Sequence, residues 1–305
     1  MAQSKQKTDR EMLLDILHFA PGKTSAEDLL FNYKDVLYPS TICSKEMFEA
    51  LETFEARDDD LMIVTYPKCG TNWVIQILHE MVSIIKNQET VLDQPMIEFG
   101  SPQMLERLKE QPSPRILSTH LNFQMIPKSF FEKKTQMLIV IRNPKDAAIS
   151  FFNFYKNMPA LPTYESWNLF FNDFIHGNVC YGSYFNYLVE WNNHIDEGNV
   201  MAITFEDMKT DFLTQLKKIS EFFGLPLTDE QLCEVERRTS FTSMKQKSED
   251  THGKLGDAFF RKGQIGDWKS LFNEEQSKEV DAKFQQHLDK TKLGDLLNYA
   301  KYCKF

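Results

Sequence analysis

LMIVTYPKCGTNWVIQILHE, residues 61–80, reads as a strand, a tight loop and a helix. The β-branched apolar run stops at Tyr66-Pro67, and an apolar helical period begins just after Asn72. Val74, Ile77, Leu78, Met81 and Ile85 recur at spacings of three and four, so one helix face would cover a sheet and the strand would be buried behind it. The loop carries Lys68, Gly70, Thr71 and Asn72, so backbone N–H groups, two small polar side chains and an ammonium meet at a helix N-terminus. Such a place stabilises a bound phosphate or sulfate. On its own the stretch serves equally well as a plain strand-to-helix turn, and other segments have to decide.

The loop departs from an ATP-type P-loop. That motif places its lysine just after the second glycine of G-x-x-x-x-G-K-[ST] and its hydroxyl for magnesium, whereas Lys68 precedes the loop's only glycine. The next long apolar run, Met137 to Ile141, ends in Arg142 and not in a metal-binding aspartate. Protein cations are therefore expected to hold the anion without magnesium, which disfavours a kinase or NTPase.

At 305 residues with 42% apolar and 26% charged residues, the chain has the length and composition of one large α/β domain over 1–305, with about the first 25 residues expected to be flexible. No apolar run approaches the ~20 residues of a membrane span, and the N-terminal stretch lacks the sustained apolar core of a secretion signal. Cys43, Cys69, Cys180, Cys233 and Cys303 are odd in number and show no C-x-x-C spacing, which favours reduced thiols in the cytosol and no metal site. A net charge of −9 disfavours nucleic-acid binding. A polyanionic small ligand would need local cations, and the sequence offers Lys68, Arg142 with Lys145, and Arg261 with Lys262.

Periodicity places strands near 61–66, 115–118, 137–141 and 200–205, and helices near 73–86, 145–157, 181–194, 207–223, 229–238 and 274–288. Alternating strands and helices imply an α/β fold with a central parallel sheet flanked by helices. Residues 243–266, rich in Lys, Gly, Ser and Asp, read as a long functional loop.

A second constellation is IRNPKDAAISFFNFY, residues 141–155. Arg142 ends a buried strand and Ser150 lies about two helical turns on, so both can face one ligand beyond the carboxyl edge of the sheet. An arginine forks two N–H bonds onto a phosphate and a hydroxyl adds a third. TSFTSM (239–244) and FFRKGQIGDW (259–268) follow. Phe241 suits stacking on an adenine while Thr239 and Ser240 supply hydrogen bonds; Arg261, Lys262 and Gly263 provide two cations and a backbone that a phosphate can approach closely. Taken singly, Arg142 reads as a salt-bridge partner and the basic pair as a solvated loop.

In this order, YPKCGTNW (66–73), TH (119–120), RNPKDAAIS (142–150), FEDMK (205–209), TSF (239–241) and RKGQIGDW (261–268) resemble the cytosolic sulfotransferases, most of all their family 6 type. These enzymes transfer the sulfonate of 3′-phosphoadenosine 5′-phosphosulfate (PAPS) to small hydroxyl or amine acceptors and release 3′-phosphoadenosine 5′-phosphate (PAP). The similarity runs from about residue 30 to 290. It implies a P-loop-like 5′-phosphosulfate-binding loop made by Lys68, Cys69, Gly70, Thr71, Asn72 and Trp73, with Trp73 stacking on adenine. It implies a 3′-phosphate grip by Arg142, Ser150, Arg261, Lys262 and Gly263, and a nucleoside site lined by Phe205, Thr239, Ser240, Phe241 and Met244. His120 would be the catalytic base.

The residues themselves support His120. It follows the short strand RILST and so emerges at the same sheet edge as the anion loop, and an imidazole suits removal of an acceptor proton at neutral pH. The other six histidines have no comparable setting. The expected chemistry is in-line transfer through a loose transition state, with Lys68 neutralising charge on the leaving phosphate oxygen and no metal required.

The resemblance is imperfect at three positions. Cys69 replaces a usual serine, Ser118 a second active-site lysine found in many members, and Phe205 a common tyrosine. The usual dimer motif is degraded to KSLFNEEQSK (269–278), which leaves a homodimer open. The acceptor is a small molecule; Phe99, Phe123, Phe151, Phe152, Phe154 and the aromatics from Trp167 to Phe174 suggest an aromatic cleft for phenols, iodothyronines or steroids, with about half expected to be plain core. Two alternatives stand beside this reading: an inactive adenosine-bisphosphate-binding homologue and, with less support, a P-loop nucleotide phosphotransferase.

Overall fold

The computed structural model describes residues 26–88, 96–246, 248 and 256–304; the N-terminal stretch expected to be flexible and part of the 243–266 segment lie outside them. An antiparallel hairpin of β1 (Leu30–Tyr33) and β2 (Val36–Pro39) precedes a sheet of β3 (Leu61–Thr65), β4 (Ile116–Thr119), β5 (Gln136–Ile141) and β6 (Val200–Thr204). The four strands of that sheet are parallel in the order β4-β3-β5-β6.

The strands are apolar at almost every position because both sheet faces are covered. On one face Leu61, Ile63, Leu138 and Val140 meet Val74, Ile77 and Leu78 of the Thr71–Lys86 helix and Leu216 and Val235 of later helices. On the other, Met62, Val64, Ile139 and Ile141 meet Ala147, Phe151 and Tyr155 of the Pro144–Asn157 helix and the indoles of Trp191 and Trp268. Each such buried side chain contributes about 1.5–3 kcal/mol, so a polar substitution on either face of β3 would be felt through the whole sheet.

From β3 the chain goes to β4 on one side and then to β5 on the other. That reversal opens a crevice beyond the carboxyl ends of the strands, where α/β folds bind ligands. The sequence motifs sit there: the 66–70 loop after β3, His120 after β4, Arg142 after β5 and Phe205 after β6.

Several expected boundaries differ. The first long helix begins at Thr71, because the carbonyl of Gly70 already accepts from the N–H groups of Trp73 and Val74. The 181–194 segment is helical only over Tyr184–Asn192, after the N-cap Ser183. The 207–223 segment divides at Asp211 into Phe205–Thr210 and Phe212–Phe222. Where a long loop is expected, Phe241–Gln246 and Gly256–Phe259 are helical. Periodicity misses the Lys45–Leu51, Pro102–Glu110 and Trp167–His176 helices. In the last of these, Trp167, Phe170, Phe171 and Phe174 are buried in the core beside the Pro144–Asn157 helix, and none of them lines the cavity beyond the sheet edge.

Candidate active site

Beyond the sheet edge lies a cavity of about 190 Å³ with two chemically different halves. One is lined by Lys68, Gly70, Thr71, Asn72, Trp73, Arg142, Ser150, Phe205, Phe241, Met244, Arg261, Lys262 and Gly263. The other is apolar, with Ile42, Met96, Phe99, Phe151, Met158 and Leu161 among its walls. His120 lines the same cavity.

The anion loop turns through two left-handed residues, Lys68 at φ 68° and Gly70 at φ 111°. A side chain on Gly70 would come within 3.2 Å of the Phe205 ring, so glycine answers both the backbone angle and the close approach. Half-buried Lys68 lies 4.1 Å above the Phe154 ring and donates to the carbonyl of Ala258 at 3.4 Å. Burial, followed by the nearby charges of Arg142 and Arg261, brings its ammonium down to about 7. Cations crowded so that one is ready to lose its proton are a site that favours an anion.

Cys69 turns its side chain inward from the loop. Its buried thiol points to the carbonyl of Pro67 at 3.9 Å and is pushed up to about 12 by burial, and its N–H is bonded to Tyr66.

Arg142 bonds the carbonyls of Lys68 at 3.3 Å and Gln264 at 2.9 Å, and its guanidinium lies 4.3 Å from the centre of the Phe205 ring. Its buried Nε has no partner among the described residues, which leaves a donor of the guanidinium unused. Arg261 and Lys262 share the carboxylate of Asp267, with Lys262 Nζ at 2.6 Å. Gly263, at φ 58°, has Phe241 so close that an added Cβ would sit 2.5 Å from the ring.

Two buried carboxylates, unnoticed in the sequence, hold these pieces in register. Asp146 accepts from the N–H groups of Gly266 at 2.7 Å and Trp268 at 2.9 Å, anchoring the RKGQIGDW loop to the RNPKD turn. Glu206 accepts from the Asn143 amide at 2.7 Å and so ties FEDMK to the same turn. Both lie inside quoted motifs, so their position was the available signal. Lys145, expected to join Arg142 as an anion cation, is fully buried elsewhere, bonded to Ser277 and the carbonyl of Cys303 at 2.6 Å and to Asp281 at 2.8 Å. Arg142 precedes the helix that begins at Pro144, whereas Lys145 lies in its first turn with its side chain directed to Ser277, Asp281 and the Cys303 carbonyl.

In the nucleoside region, the indole N–H of Trp73 donates to the carbonyl of Thr239 at 2.9 Å. The Thr239 hydroxyl is itself spent on the carbonyl of Val235 at 2.8 Å, and that of Ser240 on Ser243 at 3.0 Å. Thr239 thus fixes Trp73 through its backbone carbonyl, while its hydroxyl hydrogen is directed to Val235. Lys209, the last residue of FEDMK, stands 5.8 Å from the Trp73 ring and 5.7 Å from Phe241, a further cation on the cavity wall.

His120 is tightly placed. Its backbone N–H donates to Glu98 Oε1 at 2.8 Å, and the neighbouring Thr119 hydroxyl donates to Oε2, also at 2.8 Å. Glu98 is buried, which raises its carboxyl to about 7. The ring packs edge-on to Tyr181 at 5.1 Å, with Nδ1 2.7 Å from the carbonyl of Thr65. A carbonyl only accepts, so Nδ1 carries the hydrogen and Nε2 is the unprotonated nitrogen. Burial, reinforced by Lys68, outweighs the Thr65 bond and lowers the imidazole to about 4. It is neutral at physiological pH and able to accept a proton.

Of the aromatics expected in the acceptor cleft, Phe99, Phe151 and Phe154 line the cavity. Phe123 instead packs on Phe131 and His194, and Phe152 on Trp167 and Phe170. Ser118 is buried outside the cavity lining, and its hydroxyl has no partner among the described residues. No helix among the described residues is long and apolar enough to cross a membrane, and those residues hold no group of three or more His, Cys, Asp or Glu able to bind a metal.

Comparison with known proteins gives one consistent result. The model of the sulfotransferase domain matches residues 58–292. Sulfotransferase 6B1 of Mus musculus is 43% identical over 299 residues, covering 97% of this chain and 99% of that protein. The Homo sapiens protein of the same name is 44% identical and covers 92% of this chain and 93% of its own. Among solved structures, mouse sulfotransferase SULT7A1 complexed with PAP superposes with a TM-score of 0.81 at 33% identity, over 90% of this chain and 100% of that one. Retinol dehydratase in complex with androsterone and PAP shares the fold, with a TM-score of 0.70 at 18% identity over 94% of this chain and 96% of its own.

Proposed function

This chain belongs to the sulfotransferase family, and from that premise we propose that it acts as a single cytosolic domain, transferring the sulfonate of PAPS to the hydroxyl of a small apolar acceptor such as a phenol, iodothyronine or steroid. It is a PAPS-dependent sulfotransferase, with PAP as the released product. One observation carries the reading: the neutral imidazole of His120 and the ammonium of Lys68 line one cavity whose two halves are cationic and apolar. The residues fit the donor. The unused Arg142 Nε, the crowded cations and the glycine at 263 pressed against Phe241 suit a molecule with an anion at each end and a flat ring between.

PAPS supplies a sulfonate attached to a phosphate that leaves readily. Everything else is the work of this chain. Lys68 places positive charge where negative charge grows on the departing phosphate oxygen, and the N-terminus of the Thr71–Lys86 helix adds its N–H groups there. His120 Nε2 accepts the acceptor's proton as its oxygen attacks sulfur, and the apolar walls keep water from competing. Among the described lining residues the charged side chains are all cations, which supports a hydroxyl acceptor over a protonated amine. Relatives are consistent with small apolar acceptors, androsterone being present in the retinol dehydratase complex. Four of the five cysteines are buried as free thiols, which supports a reducing compartment.

The test is incubation with radiolabelled PAPS, EDTA and a panel of phenols, iodothyronines, steroids and arylamines. Labelled product from hydroxyl acceptors is expected. PAP binding without transfer to any acceptor would make the chain a binding homologue, a result that the partnerless Ser118 in place of the family's second lysine would then explain.

A further inference from the structure

We propose that Thr65 is a positioning residue whose hydroxyl links the anion loop to His120, so that an occupied loop orients the imidazole for proton acceptance at Nε2. This deepens the sulfotransferase reading and rests on it. Thr65 ends β3, is fully buried, and lies between the two functional groups that the transfer needs. Its Oγ1 is 2.7 Å from the Thr71 hydroxyl and 3.1 Å from His120 Nδ1, while its carbonyl oxygen is 2.7 Å from that same Nδ1. Nδ1–H therefore points into a notch made by two oxygens of a single residue.

The direction of the hydrogens along this chain depends on what the loop holds. Between two hydroxyls either can donate, so the Thr65–Thr71 bond has no direction of its own. A phosphate oxygen can only accept. Thr71 is the first residue of its helix and lines the cavity, so an anion there draws the Thr71 hydrogen toward itself. Thr71 must then accept from Thr65, and Thr65, its hydrogen committed, can only accept from Nδ1–H. Every hydrogen then runs from imidazole to anion. With the bond reversed, the Thr65 hydrogen is not committed to Thr71 and has no acceptor at Nδ1, which already bears one; Oγ1 then offers Nδ1–H a lone pair without the polarisation that the anion supplies, and the ring depends chiefly on the carbonyl. No proton changes owner in this coupling; it sets orientation and polarisation, and it makes donor binding prepare the base.

The experiment uses the full chain with ¹⁵N-labelled histidine, comparing wild type, Thr65→Val and Thr65→Ser with and without PAP. The His120 signals are identified by their loss in His120→Asn. PAP is expected to shift the His120 Nδ1–H resonance and slow its exchange in wild type and Thr65→Ser, and to leave it unchanged in Thr65→Val. Calorimetry should give PAP affinities within about twofold for all three, since the loop itself is intact. Turnover of Thr65→Val should fall about five- to tenfold with KM for PAPS unchanged, the size of one lost hydrogen bond, and Thr65→Ser should restore it. An unchanged response of the resonance in Thr65→Val, or a turnover loss that serine does not rescue, would overturn the proposal. Failure of wild type to bind PAP would instead overturn the sulfotransferase reading beneath it.

Discussion

The two halves of the cavity are built on opposite plans. The cationic half draws on residues just after strand ends, Lys68, Arg142 and Phe205, and on the later 259–268 segment, and its backbone is fixed by polar contacts: Glu206 and Asp146 brace the turn after Arg142, Asp146 also holds the RKGQIGDW loop, and Lys68 sits in a loop turned through two left-handed residues. The apolar half is assembled from single side chains of distant segments, Ile42, Phe99, Met158 and Leu161 among them, none held by a hydrogen bond. A doubly anionic ligand needs donors at fixed points, whereas an apolar acceptor needs only a shape. Substitutions in the first half should therefore act sharply and selectively, and in the second half gradually.

The largest effect is expected where the halves meet. His120→Ala should lower turnover by at least ~100-fold while leaving PAP affinity nearly intact, since the imidazole serves the acceptor's proton and not the nucleotide. Retained turnover would remove His120 from the role of base. Because the imidazole is lowered to about 4, kcat/KM should hold its value down to near pH 5 and decline only as protonation begins below that; a decline centred near 6.5 would show an unperturbed histidine at work.

Arg142→Ala tests whether the cationic half reads both anions of the nucleotide. Charge-assisted bonds contribute roughly 1.5–3 kcal/mol each, so PAP affinity should drop about 10- to 150-fold while AMP affinity, lacking the 3′-phosphate, changes far less. Equal losses in calorimetry would move Arg142 off that phosphate.

A pH series on PAP binding probes Lys68. Its ammonium, lowered to about 7, is charged below that pH and loses its charge above it, so affinity should fall as pH rises through 7, by about tenfold between 6 and 8. Binding at pH 8 should take up protons, detected by calorimetry in buffers of different ionisation enthalpy, and Lys68→Met should abolish the uptake. A flat profile would contradict the lowered value.

In the apolar half, Phe99→Ala should raise KM for an apolar phenol about fivefold and leave KM for PAPS unchanged, as expected for loss of part of a hydrophobic wall. Loss of cofactor binding there would break the division into halves. The smallest effect is expected from Thr239→Val: its hydroxyl already serves the Val235 carbonyl, so PAP affinity should stay within about twofold. A tenfold loss would show that the hydroxyl reaches the nucleotide after all.

The legible features of this chain are those with a local cause. A fully buried strand needs an unbroken apolar run, a helix needs its period, and an anion loop needs glycine, a cation and small polar side chains together; residues 61–80 state all three. Lys145 misled because sequence gives proximity to Arg142 but not the direction of a side chain on its helix, which here leads into a buried bond network with Asp281 and Cys303. Trp167 to Phe174 misled because an aromatic run serves a core as well as a cleft. Glu98 stayed invisible: an isolated glutamate in a loop carries no signal until folding brings the N–H of His120 to it across 22 positions.

The sequence by itself determined the α/β class and the placing of Lys68, His120 and Arg142 just beyond the ends of parallel strands, because each is specified by neighbouring residues whose covalent spacing already fixes most of their geometry. Only the tertiary structure decided that the His120 imidazole is neutral and its tautomer set, that Thr65 stands between His120 and Thr71, and which aromatics line the cavity. Those properties depend on burial and on contacts between segments far apart in the chain, and such contacts do not exist until the sheet has brought its strand ends together.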